Sequence, residues 1–277
     1  MNTFLRFPGG RFKALTLSYD DGVEQDIRLS EIMAKNGIRG TFNINSGLFA
    51  PEGKVYPAGQ VHRRMSRSQI YGLFKDSGNE VAVHGFTHPF LESIPTATAA
   101  MEVIDDRKAL EALFGRIIRG MAYPFGTWNE RLLSILKDAG IAYSRTTKAT
   151  HGFGLPANWL LLDPTCHHND PELPALCDKF LAMDKSNFPQ MFYLWGHSYE
   201  FEGKDNWNVI EDFCAKMGGH DNIWYATNIE ICDYVNAYGR LQYSVDGKII
   251  HNPTDIDLWV NLDQETVMIP AGQTVTR

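Results

Sequence analysis

Two short stretches of this chain carry the residue types of a hydrolytic metal site: Ser18-Tyr19-Asp20-Asp21-Gly22 and His84-Gly85-Phe86-Thr87-His88-Pro89. One carboxylate and two imidazoles make three ligands, which leaves a coordination position open on a zinc-like divalent ion. The second carboxylate is then free to act as a base toward water that the ion acidifies. Both stretches follow strand-like runs, Ala14-Leu15-Thr16-Leu17 and Glu80-Val81-Ala82-Val83, so both fall where a strand ends.

A third histidine, His197, follows Phe192-Tyr193-Leu194-Trp195-Gly196, another strand-like run. With an ordinary pKa of about 6.5, a histidine there suits proton donation near neutral pH. Cys166-His167-His168-Asn169-Asp170 resembles a second metal cluster, but adjacent side chains on an extended segment diverge. It reads better as a pocket loop in which His167 or His168 meets substrate or His197, with structural packing of the two rings as the alternative. Trp159, Trp195 and Tyr199 are the aromatic residues expected nearest the site. Asn43 and Asn45, at a strand end, and His62, in a long loop, are further pocket candidates.

Strand-like and helix-like segments alternate around these motifs. Helices are expected at Gln25–Lys35, stopping at Asn36-Gly37, and from Ser66 to about Lys75, opened by the capping box Ser66-x-x-Gln69. Further helices are read near 96–114, after the cap Asn129, at 171–182, at 207–217 and at 228–238, the last with Thr227 and Glu230 as a capping box. Strands are read near Thr41–Ile44, 80–83, 120–123, 142–145, 159–163 and 192–195. The connection from Asn45 to Arg64 is long for a βα loop and is a candidate substrate lid. About seven β-to-α units argue for an α/β fold with a parallel sheet closed, or nearly closed, into a barrel. Beyond residue 240 the texture changes: Asp246-Gly247 marks a hairpin, and 256–262 largely alternate. We therefore expect a barrel over residues 1–239 and a small β-rich extension over 240–277.

At 277 residues, of which 44% are hydrophobic, the chain supports a sizeable core. With 26 basic and 33 acidic side chains, nothing favours nucleic acid or an anionic membrane as partner. Cys166, Cys177, Cys214 and Cys232 form no CxxC pair and read as buried thiols. The N-terminus shows no signal-peptide pattern and no stretch has the length of a membrane span, so the expected compartment is the cytoplasm. A homo-oligomer is compatible with this sequence.

Tyr19-Asp20-Asp21-Gly22, His84 with His88, Tyr123-Pro124-Phe125-Gly126 and Leu194 with His197 occur in one order with regular spacing. Together they resemble the polysaccharide deacetylase family (the NodB-homology domain, carbohydrate esterase family 4) over roughly residues 14–238. The resemblance implies a distorted (β/α)7-type barrel that removes acetyl groups from an N-acetylated sugar or oligosaccharide. It implies Asp21, His84 and His88 as ligands of a divalent metal: Zn2+ first, with Co2+, Ni2+ or Mn2+ as alternatives. It makes Asp20 the general base and His197 the general acid. The backbone near Phe125 and Tyr123 would stabilise the oxyanion, and Leu194 and Trp195 would line the pocket. Two positions depart from the family. Ala122 stands where an arginine usually supports the base, with Arg119 or Arg145 as substitutes, and the support of the acid histidine has no clean match, Asn158-Trp159 and Asp163 being nearest. A small non-sugar amide as substrate, or carbohydrate binding without catalysis, are the competing functions.

Overall fold

The computed structural model describes residues 3–277. Its centre is a curled parallel sheet. The strands are β2 (Lys13–Asp20), β3 (Thr41–Ile44), β4 (Glu80–Val83), β5 (Gly120–Ala122), β6 (Tyr143–Arg145), β7 (Cys166–His167), β8 (Gln190–Gly196) and β9 (Ile223–Tyr225), preceded by β1 (Thr3–Arg6). The order is β6-β5-β4-β3-β2-β8-β7, with β9 on the early part of β2. Leu162 bridges Arg145 while Cys166 and His167 pair with Leu194 and Trp195, so residues 162–167 join the two ends of the sheet. This is the distorted seven-stranded barrel that the alternation predicts.

The outer layer is α1 (Gln25–Lys35), α2 (Arg67–Phe74), α3 (Thr96–Phe114), α4 (Glu130–Asp138), α5 (Leu173–Leu181), α6 (Tyr199–Gly203), α7 (Asn208–Met217) and α8 (Asn228–Tyr238). The capping boxes at Ser66/Gln69 and Thr227/Glu230 both form, and Asn129 caps α4. The long β2 strand divides its side chains by period two. Leu15, Leu17 and Tyr19 pack outward in one core with Phe42, Val81, Leu194 and the helices. Thr16, Ser18 and Asp20 alternate with them and fill the barrel interior with a polar network. Thr16 donates to Asn228 (2.8 Å), Thr41 and Tyr143 donate to Glu80 (2.8 Å each), and Asn43 donates to Ser18 (2.7 Å) and Asp20 (2.8 Å). Most of these buried polar groups satisfy one another, while Asn43 Oδ1 has no partner among the described residues.

One expectation changes, and two elements were not anticipated. Trp159–Leu161 is a 3-10 turn rather than part of a strand, because the Asn158 side chain accepts from Leu160 N–H and coils the chain. The short strand β7 and helix α6 carry too few residues to show a periodicity. At the C-terminus, β10 (Gln242–Tyr243) and β11 (Ile249–His251) form the expected hairpin, joined by β14 (Thr274–Thr276). Strands β12 (Leu258–Leu262) and β13 (Glu265–Ile269) make an antiparallel sheet with β1, so the first described residues pair with the last segment. Leu258, Val260 and Leu262 share a core with Leu5, Tyr234 and Ile231, and the Tyr234 hydroxyl ties Arg6 O to Trp259 N–H. All four cysteines are free and buried, as read from their spacing.

Candidate active site

The ends of β2, β4, β6, β7 and β8 meet at one mouth of the barrel. Asp21 leaves β2 with φ +84° and His88 has φ +57°, both uncommon for residues with a side chain. Ligand atoms of Asp21, His84 and His88 lie within 4.8 Å of one another. His84 directs Nδ1 at the Ala122 carbonyl (2.8 Å), which assigns the proton to Nδ1 and leaves Nε2 as a lone-pair donor. Burial pushes the His84 pKa down and that of His88 to about 4, so both rings are neutral, the form that binds metal. The three residues fit a tetrahedral divalent ion with an open position.

The second carboxylate is held differently. Asp20 is buried, and Arg145 bonds both of its carboxylate oxygens. Burial opposes ionisation of Asp20, but the charges of Arg145, His84 and His197 win and hold its pKa below the usual value. Arg145 thus occupies the role for which Ala122 lacks a side chain. Arg119, the other substitute considered, pairs with Asp233 instead. His197 faces Asp20 from β8, with Nε2 3.7 Å from Oδ2, and its Nδ1 bonds Glu200 at 2.8 Å. Burial lowers the pKa of His197, while Glu200, Asp20 and Asp21 raise it and prevail.

Several expected pocket residues lie elsewhere. Leu194 is fully buried in the helix-facing core beside Leu17, since alternation along β8 turns it away from Trp195 and the mouth. Tyr123 spends its N–H on Arg145 O (3.0 Å) and its hydroxyl on Leu160 O (2.9 Å), leaving no donor for an oxyanion. Phe125 differs: it sits at φ +59° beside His88 (ring centroids 4.5 Å apart) and is half exposed. Trp159 packs on the lower core with Leu162, and Asp163 bonds Thr146, so neither supports His197. Asn45 does not line the pocket: its amide clamps the Gly85 carbonyl (2.8 Å) and accepts from Arg64 (2.8 Å).

Trp195, Tyr199 and His167 lie around His197, whereas His168 is buried between Tyr19 and Phe201 and reaches the site only through Glu200. Trp195 lies under the Arg145 guanidinium (4.4 Å), and Tyr199 packs between His197 and His62. His167 and His168 do not diverge; their Nε2 atoms lie 3.4 and 3.7 Å from the two Glu200 oxygens, because His168 is already past the end of β7.

Residues that the sequence did not single out complete the site. Glu200 lies three residues beyond His197, a helical spacing that would have pointed to it had α6 been recognised. Asp106 accepts from the Ser46 N–H (2.7 Å) and the His84 N–H (2.9 Å); an acid on the apolar stripe Ala99-Val103-Asp106-Leu110 was its signal. From the long loop, Arg64 reaches Asp21 Oδ1 (3.1 Å), and His62, considered only for substrate contact, reaches Oδ2 (3.2 Å). Arg63 fastens the same loop to Glu24 and Glu202.

Residues 7–144 match the family model described as polysaccharide deacetylase. The chain belongs to the polysaccharide deacetylase family. Among solved structures, a provisionally described polysaccharide deacetylase from Mycobacterium smegmatis is similar at 17% identity and TM-score 0.58, over 85% of this chain and 94% of that one. The Streptococcus pyogenes deacetylase PplD in complex with acetate matches at 22% identity and TM-score 0.46, over 53% of this chain and 61% of that one. A family 4 carbohydrate esterase from Streptomyces lividans in complex with acetate matches at 15% identity and TM-score 0.49, over 77% of this chain and 92% of that one. This polysaccharide deacetylase family member therefore spans about three fifths of the streptococcal chain and nearly all of the other two. Among its described residues, no helix is long and apolar enough to cross a membrane.

Proposed function

We propose that this chain is a metal-dependent hydrolase that removes acetyl groups from an N-acetylated sugar or glycan fragment. One observation carries the reading: the Asp21, His84 and His88 donors share one point of the barrel mouth, and Asp20 stands between His84 and His197, 3.7 Å from each. The ligand set suits Zn2+, with Co2+, Ni2+ or Mn2+ as alternatives of similar donor preference. When bound, such an ion polarises the acetyl carbonyl and acidifies water.

The chain's own residues supply the proton movements. Asp20, aimed by Arg145, takes a proton from water as the water oxygen bonds the carbonyl carbon. His197 gives its Nε2 proton to the departing nitrogen as the C–N bond breaks, so acetate and a free amine result. Glu200 keeps Nδ1 of His197 protonated and its ring directed at Asp20. The Phe125 N–H, held at the mouth by the strained turn after β5, is the donor for the developing oxyanion. Trp195 and Tyr199 wall the acceptor side, and the loop carrying His62 and Arg64 covers Asp21.

Acetate release from a panel of N-acetylated sugars, chitooligosaccharides and small amides tests this directly. Metal-dependent release from the sugars is expected. Release from small amides alone would make the substrate a non-sugar amide, and glycan binding without turnover would make the chain a carbohydrate-binding protein.

A further inference from the structure

Glu200 stands between two histidines. Its Oε1 accepts from His197 Nδ1 at 2.8 Å and lies 3.4 Å from His167 Nε2. The Asn169 N–H donates to His167 Nδ1 at 3.1 Å, so Nδ1 is an acceptor and Nε2 carries the proton that faces Glu200. His167, His197 and Glu200 have ligand atoms within 4.8 Å, a spacing that would admit a cation. The protonated Nε2 offers no lone pair, however, and the group is a hydrogen-bonded support. The other side of His167 meets Trp195 edge-on (centroids 4.7 Å, 77°), and Trp195 carries the Arg145 guanidinium on its face at 4.4 Å. Arg145 holds Asp20, and Asp20 faces His197. The contacts close a ring: Asp20, Arg145, Trp195, His167, Glu200, His197.

We propose that His167 is a positioning residue for both proton-transfer groups, holding Glu200 against His197 and backing, through Trp195, the arginine that aims Asp20. This inference rests on the assignment of Asp20 as base and His197 as acid made above. The remaining partners of Glu200, Asn169 Nδ2 (2.7 Å), Lys204 Nζ (3.2 Å) and His168 Nε2 (3.7 Å), all lie at Oε2. Without His167 they draw the carboxylate to their side and away from His197. His197 then still faces Asp20, Asp21, His168 and Tyr199, none of which takes the place of an acceptor at Nδ1.

The test compares His167→Ala and His167→Gln in the full chain, with and without added Zn2+, by nitrogen-15 histidine NMR together with acetate-release kinetics. In the alanine variant, His197 should lose its fixed Nδ1–H tautomer, and its titration midpoint should fall toward the ordinary histidine value. The kcat should drop roughly tenfold, a part of what a general acid supplies, with KM little changed. Glutamine, whose amide N–H reaches Glu200, should restore both the spectrum and most of kcat. An unchanged His197 spectrum in His167→Ala, or a glutamine variant no better than alanine, overturns the proposal. The assignment beneath it fails separately: His197→Ala would then keep its turnover, while the His197 spectrum alone still decides whether His167 holds Glu200.

Discussion

Arg145, the last residue of β6, bonds both carboxylate oxygens of Asp20, the last residue of β2, although 125 positions separate them in the chain. The pair is buried on both sides, and the guanidinium leaves Nε and Nη1 without hydrogen-bond partners among the described residues, compensated by the face of Trp195. An ion pair in such a place is costly to break from one side, because the surviving charge is left uncompensated.

Arg145→Ala should therefore lower the unfolding free energy by about 3–5 kcal/mol, read from denaturant midpoints. Arg145→Lys keeps the charge but not the two-pronged grip, so it should recover much of the stability and little of the kcat. Full activity in Arg145→Lys would mean that the geometry of Asp20 is set elsewhere.

The proposed acid, His197, should set an alkaline limit. A group that donates a proton must hold one, and Glu200, Asp20 and Asp21 keep the His197 pKa above its ordinary value against the effect of burial. The rate should persist into the alkaline side of the usual histidine range. Glu200→Gln removes a charge that favours the imidazolium, so its alkaline limb should move to lower pH. A pH profile of kcat/KM that coincides with wild type would show that Glu200 does not act on the acid.

Stability should also respond to pH through Asp26, where burial drives the carboxyl up to about 8, while hydrogen bonds from Ser198 and Val23 only partly oppose it. Its folded pKa lies above the unfolded value of 3.8, so the folded state holds this proton more tightly. The contribution is complete below about pH 4 and is lost as pH rises through about 8. Asp20, Asp21 and Glu200 have depressed folded values and act in the opposite sense, losing stability as pH falls below the ordinary carboxylate range. Asp26→Asn keeps the shape of the protonated acid, its amide oxygen accepting from Val23 N–H and its NH2 donating to the Ser198 hydroxyl, so its stability should decline less than that of wild type between pH 4 and 8. Parallel denaturation curves of the two proteins across that range would contradict the assignment.

Much of this was legible in the sequence where a residue's role is local. Asp20-Asp21-Gly22, His84, His88 and His197 announce themselves by type and by following strands, and the capping boxes fix the starts of α2 and α8. The misses are of another kind. Tyr123 and Leu194 stand in motif positions, yet the two-residue period of the sheet turns Leu194 toward the helices, and hydrogen bonds to Arg145 and Leu160 occupy Tyr123. The support of Asp20 depends on which strand becomes its neighbour across the barrel, which puts Arg145 in place of Ala122 and leaves Arg119 on Asp233. Glu200 was hidden because a five-residue helix is too short to show a periodicity. Arg64 and His62 reach Asp21 from a loop whose path no local pattern encodes.

The most direct test is metal content measured beside acetate release for Asp20→Asn and His84→Ala. Asp20→Asn should keep its metal and lose turnover by about 10²–10⁴-fold, the share of a general base, while His84→Ala should lose both. Near-normal turnover in either variant, or full metal content in His84→Ala, would contradict the account.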